Sequence, residues 1–173
     1  GRAIYARAIG ETMAHMGRGA DPVSALTALM SMDGALNHWC HARYELRLHR
    51  ARGYGALKAI LDVLAEEESL TLTEISHRLH RTPGSTKDYL SWLEDVDLVT
   101  SRQKRYSFAD PVLRLWVRLR CRSTPLTDEE VAREVQLYAV ARLPRPEPAP
   151  ALAYAGIETS PDEPKNWGII EID

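Results

Sequence analysis

The chain has 173 residues, of which 45% are hydrophobic and 27% are charged, with a formal net charge of −2. This composition is ordinary for a globular protein, and it excludes a membrane span because no apolar run approaches the roughly 20 residues required. No signal-peptide pattern opens the chain, so we expect a cytoplasmic protein without membrane contact.

The metal-ligating residue types are scattered along the chain. Cys40 and Cys121 lie far apart and belong to no CxxC pair, which predicts two reduced thiols rather than a zinc site. Histidines occur in two pairs at a spacing of three residues, His38 with His41 and His77 with His80. Neither pair has a third ligand at a fixed spacing, so we predict no metal site. No nucleophile motif such as GxSxG occurs, and no catalytic residue is predicted.

The first third of the chain predicts a helical bundle. Apolar residues spaced for one face predict a helix over 1–20. Asp21-Pro22 resembles a cap followed by proline at the first helical position, so a second helix should run from Pro22 to about Met32. A third helix is predicted over 35–50, after the break at Asp33-Gly34.

The central stretch predicts a winged helix-turn-helix. An apolar stripe predicts a helix that ends near Glu67, and Thr73 is a plausible N-cap for a short second helix. Thr82-Pro83-Gly84 predicts a turn, with a third helix starting at Gly84 or Ser85. Two strands are then predicted over 98–100 and 105–108, joined by a loop over 101–104. Helix, short helix, turn, helix and two-stranded hairpin is the order of a winged helix-turn-helix.

Two further helix starts and a proline-rich tail follow the predicted hairpin. Asp110-Pro111 predicts the start of one helix, and Thr127, followed by three acidic residues, predicts the start of another that ends near Ala141. From Pro144 onward, closely spaced prolines forbid a helix and favour an extended form. The tail ends in a strand-like apolar run, Trp167 to Ile172, which could bind a protein partner.

The predicted fold is therefore mainly α, with an N-terminal helical bundle, a winged helix-turn-helix bearing a small β-hairpin wing, and an extended tail. The predicted segments are a lid-like bundle over 1–52, the winged helix over 53–122, a C-terminal helix over 123–143 and the tail over 144–173. Trp39, Trp92 and Trp116 lie on apolar helix faces and are predicted to be core residues.

Positive charge is concentrated in two blocks. Residues 41–60 hold five Lys or Arg residues against one acidic residue, and residues 101–122 hold seven against one. The two blocks could form one positive face, or they could pair with the acidic blocks between and after them. Arg114 and Arg118 could likewise extend the basic patch of the wing or neutralise Glu66, Glu67 and Glu68.

Candidate DNA-binding residues lie at the start of the third helix and in the hairpin. The predicted set is Ser85, Thr86, Lys87, Arg102, Gln103, Lys104 and Arg105. The hairpin residues are suited to phosphates or a minor groove. The outward face of the third helix carries one positive charge against three negative ones, so we expect it to read bases weakly.

Three features of the chain resemble the C-terminal part of the archaeal-type ATPase family, in the signal-transduction (STAND) branch of the AAA+ fold. One is the helix with the pattern "Y…IL…A" that precedes the short helix. "YLSWLEDVDLV" is similar to its helix that runs directly into a strand, and "YSFADPVLRLWVRL" is similar to its wing strand followed by a D-P-x-L-R-x-W helix. The resemblance covers about Gly53 to Leu119. It implies that residues 1–52 are a helical lid and that this chain is a non-catalytic region of such an ATPase.

The resemblance does not extend to nucleotide binding in this chain. No GxxxxGK[ST] loop occurs, so we expect no ATP hydrolysis and no cofactor here. The family would place ATP and Mg²⁺ in an upstream core. The winged helix would then bind double-stranded DNA or dock a partner protein. The alternatives are a protein-interaction module that does not bind DNA, and a stand-alone winged-helix transcriptional regulator whose N-terminal helices dimerise.

Overall fold

The protein is mainly α-helical, with one small antiparallel sheet. The computed structural model describes residues 2–49, 53–121, 124 and 126–142. Within these ranges the helices are α1 (Arg2–Met16), α2 (Pro22–Met30), α3 (Ala35–Leu48), α4 (Tyr54–Glu66), α5 (Leu72–Arg78), α6 (Pro83–Asp95), α7 (Pro111–Arg120) and α8 (Asp128–Val140). The strands are β1 (Leu70–Thr71), β2 (Val99–Arg102) and β3 (Arg105–Phe108).

The elements from α4 to β3 form a winged helix-turn-helix, as the sequence predicted. The sheet order is β1-β3-β2, and both pairings are antiparallel. Val99 lies opposite Phe108, whereas Leu70 lies opposite Tyr106. The sequence did not predict β1, because a two-residue strand is too short to show an alternating pattern.

The core of the winged helix is built on the apolar stripe of α4. Four α4 side chains at helical spacing have no solvent exposure, namely Leu57, Ile60, Leu61 and Leu64. Ile75 of α5 and Leu90 and Leu93 of α6 are equally buried in the same cluster. This arrangement holds α6 against α4 and leaves the opposite face of α6 toward solvent.

Two helix starts differ from the prediction. Thr71, not Thr73, caps α5, because its hydroxyl accepts the amide of Glu74 while the Glu74 carboxylate accepts the amide of Thr71. Helix α6 begins at Pro83, where the missing N–H costs nothing, and its cap is Thr82. Each helix therefore begins one or two residues before its predicted start.

The helices outside the winged helix pack on it. Residues 1–143 form one compact unit, in which α3 and α4 contact α7 and α8 contacts α2 and α7. Across this unit the indole N–H of Trp116 donates to the side-chain oxygen of Asn37 at 2.9 Å. The segments over 1–52, 53–122 and 123–143 thus share one core in their described parts, and the tail over 144–173 lies outside the described residues.

The tryptophans are not all core residues. Trp116 is buried and Trp39 is half-buried, but Trp92 is 37% exposed on α6, so its predicted core position was wrong. Trp92 contacts the ring of Tyr89 edge-on, with centroids 5.4 Å apart. Helical periodicity placed Trp92 next to the apolar stripe of α6, but it could not show that α4 covers only part of that side.

Candidate nucleic-acid interface

The wing is a tight hairpin. Its predicted four-residue loop is shorter in the structure, because β2 continues to Arg102 and pairs it directly with Arg105. Only Gln103 and Lys104 connect the strands, with φ values of 51° and 62°. Two successive positive φ values are the signature of a type I′ turn, which matches the twist of paired strands. The tight turn therefore places basic side chains at the tip of the wing.

The three cations of the wing differ in their surroundings. The side chains of Arg102 and Lys104 are exposed, and neither side chain makes a hydrogen bond or an ion pair with the described residues. The Arg105 guanidinium donates to the Ser69 carbonyl oxygen at 2.6 Å and lies 3.8 Å from the Glu74 carboxylate. Arg105 is thus partly neutralised, and Arg102 and Lys104 carry the available positive charge of the wing.

The start of α6 exposes Lys87 fully and Ser85 in part, but buries Thr86. The Thr82 hydroxyl accepts the amide of Ser85 at 3.4 Å and lies 3.0 Å from the Ser85 hydroxyl. Lys87 is exposed. The Thr86 side chain has no solvent exposure, and its hydroxyl donates to the Thr82 carbonyl at 3.0 Å. The inclusion of Thr86 among the DNA contacts is corrected, since its side chain cannot reach a ligand.

The rest of the outward face of α6 is acidic. Asp88, Ser91 and Asp95 are exposed, and Glu94 is half-buried. Duplex DNA carries one negative charge per roughly 1.7 Å of its axis, so this face opposes deep insertion into a major groove. Only the first turn of α6 is electrostatically compatible with phosphate.

Sequence analysis missed one basic residue beside this turn. Arg81 is exposed, and its guanidinium lies over the ring of Tyr89 at 5.6 Å from the centroid. This contact orients the charge next to the N-terminus of α6, between Arg78 and the cap at Thr82. Its position immediately before a Thr-Pro helix start was the signal that could have identified it.

The arginines of α3 are used inside the protein. Arg43 donates to a carboxylate oxygen of Asp110 at 2.7 Å, and Arg47 donates to the carbonyl oxygen of Asp97 at 2.5 Å. Asp97 precedes β2 and Asp110 follows β3, so α3 holds both ends of the wing hairpin. Arg50 and Arg52, the other arginines of this block, lie outside the described residues.

The arginines of α7 are also internal. Arg114 lies 3.2 Å from the Glu68 carboxylate, which supports neutralisation of the acidic run rather than an extended wing patch. Arg118 pairs with Glu134 at 2.8 Å. Arg120 donates to the Asn37 side chain at 3.1 Å and to the Met30 carbonyl at 2.6 Å. The two basic blocks therefore do not form a single positive face in the described part of the chain.

Neither the thiols nor the histidines form a reactive cluster in the described ranges. Burial raises the pKa of the Cys40 thiol to about 12 and that of Cys121 to about 11, so both stay protonated at neutral pH. The rings of His77 and His80 are 6.5 Å apart. No group of three or more His, Cys, Asp or Glu side chains among the described residues could hold a metal ion.

Comparison with known proteins gives little beyond these features. No described helix has the length and apolar character needed to cross a bilayer. No protein-family model and no curated protein matches the chain. A solved structure of a MarR family protein from Mycobacterium tuberculosis is 17% identical to this chain, with a TM-score of 0.36. That match covers 63% of this chain and 76% of the other chain.

Proposed function

We propose that this protein binds double-stranded DNA through its wing and the first turn of α6. The observation that carries the proposal is the type I′ tip, which holds Arg102 and Lys104 in solvent without an internal counter-charge among the described residues. Most basic residues elsewhere in the winged helix region face an internal acceptor. The side chains of Arg102 and Lys104 have no such acceptor among the described residues to compete with an external anion.

The proposed contacts are mainly to the phosphate backbone. Arg102 and Lys104 approach phosphates from the wing, while Arg81 and Lys87 approach them from the start of α6. The acidic second half of α6, with Asp88 and Asp95, limits contact with base edges. We therefore expect weak sequence preference and micromolar affinity that falls with salt, which is typical of binding dominated by phosphate contacts.

Charge reversal at the tip tests the proposal. We expect Arg102→Glu with Lys104→Glu to weaken binding of a labelled duplex by about tenfold or more at low salt, measured by fluorescence anisotropy. The matched control is Arg18→Glu with Arg133→Glu, which makes the same change in net charge on exposed residues outside the wing. Equal loss in both variants would indicate net-charge repulsion and contradict a wing-specific interface.

A second function, docking of a protein partner, is favoured by Trp92. This indole is 37% exposed on α6, close to the acidic residues that disfavour DNA. Exposed tryptophans are frequent anchors of protein interfaces. Failure of the unmodified protein to bind duplex at low salt would favour this function. The proposed partner segment, Trp167 to Ile172, lies outside the described residues.

The relation to the archaeal-type ATPases is also a proposal. Its support is the helix-to-strand and D-P-x-L-R-x-W stretches, and under it the chain is a non-catalytic C-terminal region whose ATP and Mg²⁺ belong to an upstream core. The upstream sequence of the encoding gene tests this, since a GxxxxGK[ST] loop is expected there. A concentration-dependent dimer of the chain in sedimentation experiments would instead favour the stand-alone regulator.

A further inference from the structure

A cleft separate from the wing lies among α1, α2, α8 and the start of α7. Its volume is about 740 Å³, within the range of small-molecule sites. Most of its wall is apolar and is formed by Ala6, Ile9, Leu26, Pro111 and Val112. Because these side chains come from three helices of the compact unit, the cleft is shaped by the fold and not by a single loop.

One carboxylate lines the cleft, and its hydrogen-bonding capacity is filled. Asp110 accepts the hydroxyl of Tyr5 and the guanidinium of Arg43, the latter at 2.7 Å. It also accepts the amides of Val112 at 3.0 Å and Leu113 at 3.4 Å as the cap of α7. Because four donors already bind the Asp110 carboxylate, its negative charge is largely compensated and it has little capacity left to attract a cation.

Two guanidinium groups line the same cleft. Arg43 lies over the ring of Trp39 at 4.9 Å from the centroid, and within the described part of the chain its guanidinium donates to Asp110. Arginine carries five N–H donors, so most of the Arg43 donors have no acceptor among the described residues. Arg142 lies over the ring of Tyr138 at 4.1 Å and is exposed at the cleft. The charged side chains of the cleft therefore sum to one excess positive charge.

We propose that this cleft binds a small amphipathic monocarboxylate. The apolar body of the ligand packs on Ile9, Leu26 and Val112, which removes its surface from water. Its carboxylate is held by Arg142 and by the unused donors of Arg43, since guanidinium groups pair well with carboxylates. The single excess positive charge matches a monoanion, whereas a cationic ligand would face two guanidinium groups and a filled carboxylate.

Isothermal titration calorimetry with octanoate, octanamide and octylamine as probes tests the proposal. We expect octanoate to bind at least about tenfold more tightly than octanamide, because only the anion gains the guanidinium contacts, and octylamine to show no binding. Equal affinity of octanoate and octanamide, or no measurable octanoate binding at millimolar concentration, would overturn the proposal.

Two pairs of variants locate the site. Arg142→Ala should weaken octanoate binding about fivefold or more, whereas Arg133→Ala, which removes an exposed arginine of α8 outside the cleft, should not. Ala6→Trp should fill the cleft and abolish binding, while Ala14→Trp, also exposed on α1, should leave it unchanged. The four variants should share the unmodified protein's melting temperature to within a few degrees, so that loss of binding is not loss of fold.

A second copy of the chain is the competing occupant of the cleft. Sedimentation velocity of the unmodified protein and of the Ala6→Trp variant distinguishes a small ligand from a second copy of the chain. A dimer that Ala6→Trp dissociates and octanoate does not affect would assign the cleft to self-association and overturn the ligand proposal. A monomer that binds octanoate at one site per chain supports it.

Discussion

The arginines of α3 and α7 and the cations of the wing lie in equally basic stretches of sequence, yet the structure uses them differently. Arg43, Arg47 and Arg120 each donate to an acceptor inside the compact unit. Arg102 and Lys104 make no such contact with the described residues. Local charge density therefore does not show whether a cation is available to a ligand; the deciding factor is whether folding brings an acceptor within reach.

The contacts of the α3 arginines also hold the base of the wing in place. Arg47 holds the chain at Asp97 before β2, and Arg43 holds Asp110 after β3. These contacts join residues 50 and 67 positions apart in sequence. The internal arginines thus fix the base of a hairpin whose tip carries the external charge.

The largest effect is expected from removing the acceptor at the base of the wing. Asp110→Ala should lower the free energy of unfolding by about 3 kcal/mol, because it removes a helix cap and leaves Arg43 without its partner. Urea denaturation measures this, with Asp95→Ala as an exposed control that should change stability by less than about 0.5 kcal/mol. A loss below about 1 kcal/mol for Asp110→Ala would show that the internal ion pair contributes little.

A matched pair of arginine substitutions tests the difference between internal and exposed arginines directly. Arg120→Met should cost about 1–2 kcal/mol of unfolding free energy, since the Met30 carbonyl and the Asn37 side chain lose a charged donor. Arg102→Met should stay within about 0.5 kcal/mol. Chemical denaturation of both variants is the measurement. Similar losses for the two would mean that the distinction between internal and external arginines is wrong.

A residue that adopts positive φ more readily should stabilise the turn at the tip of the wing. Gln103→Asn should stabilise the protein by about 0.5 kcal/mol, because asparagine adopts positive φ more readily than glutamine at this position. Thermal unfolding detects the gain, and duplex affinity should stay the same because no charge changes. A destabilised Gln103→Asn variant would argue against the type I′ turn.

The smallest effect concerns a half-buried carboxyl in α4. Burial raises the pKa of Asp62, and one of its carboxylate oxygens has no hydrogen-bond partner. The folded protein therefore holds this proton more tightly than the unfolded chain, and the ionised group costs stability once the pH rises through the folded-state pKa. Asp62→Asn should raise the melting temperature slightly at pH 7, and the gain should vanish well below the ordinary carboxyl pKa. A gain that is independent of pH would exclude ionisation as its cause.

The sequence predicts those features of the fold that depend on neighbouring residues. The Asp110-Pro111 start of α7, the Thr127 start of α8 and the second wing strand over 105–108 are local signals, and all three are confirmed. The same holds for the winged helix as a whole, because its order of elements is visible in sequence.

Features that depend on distant partners were not predictable in the same way. Arg120 donates to the Met30 carbonyl 90 residues away, and Trp92 remains 37% exposed. Periodicity identifies the face of a helix but not what covers that face. The sequence therefore identified the candidate DNA-binding residues by their type. That Arg105 is partly neutralised and Thr86 is buried could be seen only in the folded structure.

The salt dependence of duplex binding tests the central claim most directly. Each phosphate contact contributes a slope of about −0.9 to the plot of log affinity against log salt concentration. With Arg81, Lys87, Arg102 and Lys104 engaged, we expect a slope of about −3 to −4 for the unmodified protein. Arg102→Gln with Lys104→Gln should reduce its magnitude by about 2. A slope that these two substitutions leave unchanged would contradict the account.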